Sequence, residues 1–520
     1  MKFDRLVACL PARKGAIVTL AQGKPVRHSY AALAEDVARA RASLIRWNVK
    51  AGMRVGIFAP NSHVYIAYDL ALIDLGVIAV PFTDDFAGTL DRALVDKYDI
   101  SLMLLGKGVG HGFCPQDRFV AQIDGDNENV CALPRTPYSQ GDDPDDLCLA
   151  FSSGSAGGLK GLVISRKGAE LTLPPVAETI NLSNRDRLLL FLPMSNFQQR
   201  NMYYAAIWYD FDIIVTEYTQ LYPAMKLLQP TVLIAPPVLY QLLHARFSAP
   251  GWKGWRRLAG GLMSLPLGRA LQGKIARFVF RDVHAILGGK MRLLISGMAP
   301  LSHNTIQFFE HVQLPLCESY GLTETGSLTY RPPFSKKYSS VGKPLAGVKM
   351  TLEEDGEIII HRERFLTRKY FQCAPGENES TFLAPDRIAT GDIGRLDGDG
   401  YLYLLGRKKE LIVTPAGYKI HPEMLEGVLN GCDDIVQSVV FQKPGVPHLT
   451  CVVVTDKDRS ESTIRRIRQH VDRAMAGKKM RIGEITLADE PFSRENGLLR
   501  PNLKLNRKNI TAKYMMAASA

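Results

Sequence analysis

The chain has 520 residues, of which 46% are hydrophobic and 22% charged, a composition typical of globular proteins and sufficient for about three or four domain-sized units. Its net charge of +12 favours acidic small molecules or an acidic protein as partners, and no nucleic-acid motif accompanies the basic residues. Eight cysteines without C-x-x-C spacing, no signal peptide and no apolar run of membrane-spanning length predict a cytoplasmic protein with reduced thiols and no transmembrane segment, with peripheral membrane contact left open.

The first half of the chain alternates strand and helix signals. Ser29 is a candidate N-cap for a helix that places Leu33, Val37, Ala40, Leu44 and Trp47 on one face. A strand at 54–60, a helix at 62–75 and a strand at 77–82 form a βαβ unit, which implies a parallel sheet. Short apolar runs typical of strands buried on both faces follow at 102–105, 188–192, 213–216, 232–235 and 292–296.

A glycine-rich segment, FSSGSAGGLKG, occupies residues 151–161 after an apolar run at 147–151. Glycines let the backbone fold tightly around a phosphate chain, while backbone N–H groups, hydroxyls and the Lys160 ammonium bind its oxygens. The segment lacks the G-x-x-x-x-G-K-[ST] pattern of the common phosphate loop, and a flexible linker is the alternative interpretation. The strand before it favours a phosphate-binding loop.

The last quarter of the chain has hairpin signals. Runs at 393–396 and 401–404 flank an Asp-Gly-Asp-Gly turn, and runs at 435–442 and 449–455 flank Pro444-Gly445, before helical residues at about 460–474. We therefore predict an α/β and α+β protein. A large N-terminal domain would have parallel or mixed β-sheets flanked by helices, and a smaller α+β module would start near residue 406.

Further segments occur in a defined order. They read ISGMAPL at 295–301, ESYGLTE at 318–324, TGD at 390–392, GRKKE at 406–410, GYKIHP at 417–422 and NGLLRPNLK at 496–504. With the glycine-rich segment they resemble the adenylate-forming superfamily of acyl-CoA synthetases, peptide-synthetase adenylation domains and luciferases. LPMSNFQQR at 192–200 and the final motif are similar to the long-chain acyl-CoA synthetase branch. The resemblance spans about residues 27–510.

The resemblance implies a two-step reaction. A carboxylate attacks the α-phosphate of ATP to give acyl-AMP and pyrophosphate, and a thiol then displaces AMP to give a thioester. The β- and γ-phosphates would bind Ser152, Ser153, Gly154, Ser155, Gly157 and Lys160. Thr323 would contact the α-phosphate, and Glu324 would bind Mg²⁺, an ion that prefers oxygen ligands.

The nucleoside would lie against other motifs of the same resemblance. Tyr320 would stack on adenine, and Asp392 would accept hydrogen bonds from the ribose hydroxyls with Arg407 beside it. The rest of the ATP pocket would come from Gly297, Met298, Ala299, Glu318, Ser319 and Gly321. Without the motifs, a core tyrosine and a turn aspartate are the ordinary interpretations of Tyr320 and Asp392.

The resemblance assigns the C-terminal motifs to catalysis and movement. Lys504 would bridge the carboxylate and the α-phosphate, although a surface lysine is the alternative. Lys409 would be the hinge residue, within a hinge at 406–409 that joins the large domain, 1–405, to a small, mobile C-terminal domain, 410–520. Gly417, Tyr418 and Lys419 would line the tunnel for the thiol or CoA. Asn196 and Phe197 would contribute to the acid pocket.

The sequence thus predicts an acid–thiol ligase that uses ATP, Mg²⁺ and CoA on a fatty or other lipophilic acid. One alternative is an acyl-AMP ligase that loads the phosphopantetheine of an acyl carrier protein. Another is a non-catalytic adenylate-binding protein, suggested by Ala156 and Leu159, which replace a hydroxyl residue and a proline of the usual loop. The joint retention of five expected site residues argues against it: Lys160, Glu324, Asp392, Arg407 and Lys504.

Overall fold

A computed structural model of the chain describes residues 2–114, 116–125, 127–153, 159–247, 269–297, 299, 301–413, 419–432, 434–455, 457–477, 481–500 and 503–515. Within these ranges, residues Gln140, Ser153, Arg269, Ala270, Gln272 and Lys419 are described by their backbone alone.

The described residues form β-strands along the whole chain. In chain order they are β1 Ala16–Ala21, β2 Lys24–Ser29, β3 Arg54–Phe58, β4 Ile78–Pro81, β5 Ile100–Leu105, β6 Val120–Gln122, β7 Asp146–Ser153, β8 Leu159–Ser165, β9 Arg187–Leu190, β10 Asp212–Val215, β11 Val232–Ala235, β12 Leu293–Ser296, β13 Leu316–Leu322, β14 Gly326–Arg331, β15 Lys343–Pro344, β16 Lys349–Leu352, β17 Glu357–His361, β18 Thr367–Phe371, β19 Phe382–Ala384, β20 Arg387–Leu396, β21 Leu402–Arg407, β22 Ile412–Val413, β23 Lys419–Ile420, β24 Gln437–Phe441, β25 Leu449–Val454 and β26 Ile482–Leu487.

The α-helices of the described residues pack around the sheets these strands form. They are α1 Tyr30–Arg46, α2 His63–Asp74, α3 Arg92–Lys97, α4 Arg166–Thr179, α5 Phe197–Tyr209, α6 Leu221–Leu228, α7 Pro237–Phe247, α8 Arg269–Val279, α9 Arg281–Ile286, α10 His303–His311, α11 Glu377–Thr381, α12 Pro422–Leu429, α13 Glu461–Met475 and α14 Arg507–Met515. Among the residues described, no helix combines the length and the apolar character needed to cross a membrane.

Two large mixed sheets build most of the molecule. One has the order β15-β14-β13-β12-β11-β9-β10-β1-β2, and the other has the order β18-β8-β7-β4-β3-β5-β6. Their central strands pair in parallel, whereas β7–β8, β8–β18 and β13–β14 pair antiparallel. Buried strands with helices on both faces explain the short, continuous apolar runs of the sequence. The predicted fold class, mixed sheets flanked by helices, is confirmed.

The C-terminal part contains a smaller sheet, β24-β25-β26. On one face of this sheet Leu425 of α12 and Ile467 of α13 join an apolar cluster with Val440 and Val453. On the other face Val439 and Val452 belong to a cluster that also contains core residues of α7 and α10. The boundaries 1–405, 406–409 and 410–520 stay a prediction.

Most locally encoded elements match their predictions. The Ser29 hydroxyl accepts a hydrogen bond from the Ala32 N–H at 3.1 Å and begins α1. The βαβ unit is β3–α2–β4, whose strands pair in parallel. The Asp-Gly-Asp-Gly turn joins β20 to β21, and Pro444-Gly445 lies between β24 and β25. All eight cysteines lie among the described residues, and no disulfide joins any of them.

A buried ion pair joins α2 to α5. Arg200 and Asp69 form a salt bridge in which both side chains are fully buried. The Asp69 carboxylate also accepts hydrogen bonds from the hydroxyls of Tyr203 and Tyr204. Because a lone charge in an apolar core is costly, each partner requires the other. The pair thereby holds α5, whose first turn approaches the cavity described below.

We expect Asp69→Asn to lower the free energy of unfolding by about 3–5 kcal/mol, because it leaves the Arg200 guanidinium buried without its counterion. Urea denaturation followed by circular dichroism measures the change. The control is Asp36→Asn, which removes an exposed ion pair with Arg39 and should cost less than about 1 kcal/mol. Equal losses in the two variants would contradict the prediction.

Candidate functional site

One cavity of about 850 Å³ collects side chains from distant parts of the chain. The predicted site residues that line it are Ser152, Lys160, Asn196, Ala299, Gly321, Thr323, Glu324, Arg407, Lys409 and Lys504. The predicted residues Gly297, Glu318, Ser319, Tyr320, Asp392 and Phe197 do not contribute to its lining. Gly154, Ser155, Gly157, Met298, Gly417 and Tyr418 lie outside the described residues, and their assignments stay predictions.

The described ends of the predicted phosphate loop, Ser152 and Lys160, lie on two paired strands. β7 and β8 pair antiparallel, and their register places Ser152 opposite Lys160. The Lys160 ammonium lies 2.8 Å from a carboxylate oxygen of Glu377 and 4.7 Å from the ring centroid of Tyr370. The two strands therefore bring a hydroxyl and a cation to the same edge of the cavity.

β18 connects the Lys160 region with Glu324. β18 pairs with β8, and its Tyr370 hydroxyl donates a hydrogen bond to the Glu324 carboxylate at 2.8 Å. Its Thr367 donates to the backbone carbonyls of Thr323 at 2.9 Å and Glu324 at 3.0 Å. Burial, followed by the Glu324 charge, raises the pKa of the Tyr370 phenol well above its ordinary value, so Tyr370 remains a hydrogen-bond donor. The turn after β13 is thus fixed beside the phosphate-loop lysine.

A buried carboxylate lies behind the cavity. Asp392 is 6% exposed, accepts a hydrogen bond from the Tyr320 hydroxyl at 2.7 Å, and pairs with the Arg407 Nε at 3.0 Å. β20 and β21 place Asp392 directly opposite Arg407. Burial raises the pKa of the Asp392 carboxyl, while Arg407 and then the Tyr320 hydroxyl oppose that rise. Arg407, held by this ion pair, also lines the cavity.

The remaining residues of the ESYGLTE motif have defined contacts. Glu318 forms a buried salt bridge with Arg331 at 2.9 Å, and burial raises the pKa of its carboxyl to about 7 against the effect of Arg331. The Ser319 hydroxyl donates to the Thr329 carbonyl at 2.9 Å. A Cβ at Gly321 would come within 2.4 Å of the Gly326 carbonyl oxygen. These contacts shape the β13–β14 hairpin that presents Thr323 and Glu324.

Lys504 lies in a turn beside the same charged groups. The Arg500 N–H donates to the Lys504 carbonyl, and the Leu503 N–H donates to the Arg500 carbonyl, both at 2.8 Å. Leu503 adopts a left-handed φ of 62°, and its side chain is buried. Burial, with the neighbouring Arg407 charge, lowers the pKa of the Lys504 ammonium to about 8, while Asp392 and Glu324 oppose that shift. Asp392 and Glu324, which lie 112 and 180 positions earlier in the sequence, therefore influence the pKa of Lys504.

A second ion pair anchors the segment that follows Lys504. Arg507, at the start of α14, binds both carboxylate oxygens of Glu426. Glu426 also accepts a hydrogen bond from the Val440 N–H at 2.7 Å. On the other side of the turn, Leu499 and Leu505 form a β-bridge. The bridge thus closes the Lys504 turn, and the Arg507–Glu426 pair ties it to α12 and β24.

The two residues predicted for the acid pocket separate in the structure. Asn196 lines the cavity, where its side-chain oxygen caps α5 by accepting from the Gln198 N–H at 3.0 Å. Phe197 is 2% exposed and belongs to the apolar core around Tyr204. Lys409 lines the cavity within the short 3₁₀ turn that follows β21. Lys419 is described only as a backbone position in β23.

Sequence reasoning missed several residues of this site. Tyr370 and Glu377 contact Lys160, and Arg331 neutralises Glu318. Residues 367–371, TRKYF, contain a β-branched and two aromatic residues, which favour a strand and could have suggested Tyr370. Glu377 lies 217 positions from Lys160, and no local pattern signals that contact.

Comparison with known proteins agrees with this geometry. Residues 3–371 match the family described as AMP-binding enzyme. The chain is 27% identical to the long-chain-fatty-acid–CoA ligase FadD15 of Mycobacterium bovis, over 92% of this chain and 90% of that protein. It is 24% identical to the long-chain-fatty-acid–CoA ligase 1 of Homo sapiens, over 88% of this chain and 76% of that protein.

Solved structures share the fold. The crystal structure of the anthranilate CoA ligase AuaEII in complex with anthranoyl-AMP superposes with a TM-score of 0.75 at 17% identity, covering 99% of this chain and 97% of that one. O-succinylbenzoate coenzyme A synthetase from Bacillus subtilis, in complex with ATP and magnesium ion, has a TM-score of 0.72 at 19% identity, covering 98% and 99%.

We expect Tyr320→Phe to lower the free energy of unfolding by about 1–3 kcal/mol, because the buried Asp392 carboxylate loses a hydrogen-bond donor. Urea denaturation of the ligand-free protein measures the loss. Tyr403→Phe is the control. The Tyr403 hydroxyl donates to the Asp397 carboxylate over the longer distance of 3.3 Å, and the Lys337 ammonium already donates to the same carboxylate at 2.9 Å. A Tyr320→Phe protein as stable as the control would contradict the prediction.

Proposed function

Because the chain belongs to the AMP-binding enzyme family, we propose that it is an ATP-dependent ligase that converts a fatty or other lipophilic carboxylic acid to its CoA thioester through an acyl-AMP intermediate. The observation that carries this proposal is that Lys504, Glu324 and Arg407 line one cavity, while Asp392 lies behind it and pairs with Arg407. Fatty-acid–CoA ligases among its relatives support the choice of acid and of CoA as the acceptor.

Adenylation requires positive charge at the reacting atoms. An acid carboxylate oxygen bonds to the α-phosphorus of ATP while the bond to the pyrophosphate oxygen breaks, so two anions must approach each other. Lys504 would bind the incoming carboxylate and the α-phosphate, and Lys160 would bind the outer phosphates. Asp392 would accept hydrogen bonds from the ribose hydroxyls, and its ion pair with Arg407 would stabilise its negative charge.

Mg²⁺ fits the Glu324 position of this site. Glu324 presents a carboxylate to the cavity, and Tyr370 binds one of its oxygens, so the other oxygen could serve as a ligand of the hard, oxygen-preferring ion. Bound there, Mg²⁺ would neutralise phosphate charge. Glu324 itself would orient the polyphosphate relative to Lys160, and Thr323 would donate its hydroxyl to the α-phosphate.

The acid would lie against the apolar part of the cavity wall. This part comprises Pro193, Pro236, Pro237, Val238 and Leu301. Apolar side chains favour a hydrocarbon chain over a charged one. In the second step the CoA sulfur would attack the acyl carbonyl and release AMP, with Gly417, Tyr418 and Lys419 proposed as the tunnel and Lys409 as the hinge between the two steps.

A panel of short-chain, long-chain and aromatic acids, assayed by pyrophosphate release, tests the proposal. We expect release with lipophilic acids and thioester formation when CoA is added. Thioester formation on a carrier protein but not on CoA would favour the carrier-loading alternative. No release with any acid would favour a protein that only binds the nucleotide.

We expect Lys504→Ala to lower the rate of adenylation by about 10²-fold or more, because it removes a cation that would contact both reacting anions. Thioester formation from supplied acyl-AMP should stay within about twofold, since that step forms no bond at phosphorus. Quenched-flow assays of each step measure the split. Lys513→Ala, which removes an exposed lysine paired with Glu490, is the control. Equal loss of both steps would contradict the role of Lys504.

The pH dependence of adenylation should report the same ammonium group. Protonated Lys504 is the active form, so kcat/KM should be retained below pH 8 and fall above it, since the pKa in the free protein is about 8. The Lys504→Arg variant should lose this basic limb, because a guanidinium stays charged. Stopped-flow measurement across the pH range tests this, and an unchanged limb in an active arginine variant would exclude Lys504 as its source.

A further inference from the structure

We propose that Glu377 competes with the polyphosphate of the nucleotide for the Lys160 ammonium and thereby weakens the binding of ATP and pyrophosphate. This inference rests on the function proposed above. It adds a residue outside the recognised motifs to the groups that set nucleotide affinity.

The geometry gives Glu377 the position of an internal anion. Its carboxylate lies 2.8 Å from the Lys160 Nζ, and the two side chains are 27% and 23% exposed. Lys160 lines the cavity and lies over the Tyr370 ring. A carboxylate oxygen and a phosphate oxygen offer the same charge-assisted hydrogen bond to an ammonium. The contact with Glu377 is therefore the contact that a phosphate would make.

The backbone fixes Glu377 at this position. Gly376 has a φ of 80°, in the left-handed region that favours glycine, and α11 begins at the next residue. The Asn378 side chain accepts a hydrogen bond from the Tyr370 N–H at 2.7 Å and so ties α11 to β18. One short segment thus carries both the ring beneath the ammonium and the carboxylate beside it.

Electrostatics keep this carboxylate ionised at neutral pH. The hydrogen bond from Lys160 lowers the pKa of the Glu377 carboxyl, and the Lys409 charge acts in the same direction. An ionised carboxylate repels incoming phosphate oxygens, and its ion pair with the Lys160 ammonium must break before a phosphate oxygen can take its place. Because AMP lacks the two outer phosphates, Glu377 should oppose ATP and pyrophosphate more strongly than AMP.

A different role for Glu377 makes the opposite prediction. If the carboxylate joined Glu324 as an oxygen ligand of Mg²⁺, removing its charge would weaken the binding of Mg²⁺–ATP and increase the Mg²⁺ concentration required. The sign of the change therefore separates competition from metal binding.

Isothermal titration of the full-length protein with ATP, pyrophosphate and AMP, each with Mg²⁺ present, tests the proposal. For Glu377→Gln we expect about two- to fivefold tighter binding of ATP and pyrophosphate, the range set by a partly exposed ion pair. AMP affinity should stay unchanged. Glu379→Gln, in the same helix and exposed, is the matched control and should match the parent protein with all three ligands.

A double variant isolates the pair. In a Lys160→Gln background the Glu377→Gln change should no longer strengthen ATP binding, because the contested cation is gone. Weaker Mg²⁺–ATP binding in Glu377→Gln, or unchanged affinity for all three ligands, would overturn this inference alone. A parent protein that binds neither ATP nor AMP would overturn the proposed function and this inference with it.

Discussion

The arrangement of the site depends on the contacts that the Asp392 carboxylate makes with Tyr320 and Arg407. This carboxylate accepts a hydrogen bond from Tyr320 on β13 and pairs with Arg407 at the end of β21. β13 belongs to the nine-stranded sheet, whereas β20 and β21 belong to another sheet. An ionised group with so little exposure is stable only with such partners. The pair therefore fixes how two sheets meet, and it holds Arg407 at the cavity.

Charge at the cavity is divided between two regions. Lys160 lies with Glu377 near Tyr370, and Lys504 lies within the field of Arg407. Between them, the Glu324 carboxylate is held by the Tyr370 hydroxyl. Burial, and after it the neighbouring Arg407 charge, disfavours the protonated Lys504 ammonium and so lowers its pKa. Such a site favours a ligand with negative charge spread over several atoms.

Local patterns predicted local structure well. The Ser29 cap and the apolar face from Leu33 to Leu44 encode α1 without help from the rest of the chain, and the Asp-Gly-Asp-Gly turn encodes the β20–β21 hairpin. Pairing across long separations was not predictable in this way. β18 is added to β8 about 200 residues later in the chain, so the neighbours of Lys160 depend on tertiary structure. The resemblance supplied the residues Glu324, Asp392 and Lys504, but the hydroxyl contact of Tyr320 with Asp392 comes from the fold.

The tethers on either side of Lys504 restrict how this lysine can move. The Leu499–Leu505 bridge closes its turn, and the Arg507–Glu426 pair joins the turn to β24 through the Val440 N–H. A change of side-chain rotamer can shift the ammonium by a few ångströms, but a larger withdrawal must carry the three-stranded sheet with it. The presence of the lysine in the cavity would then be set by the orientation of that sheet rather than by its own torsion angles.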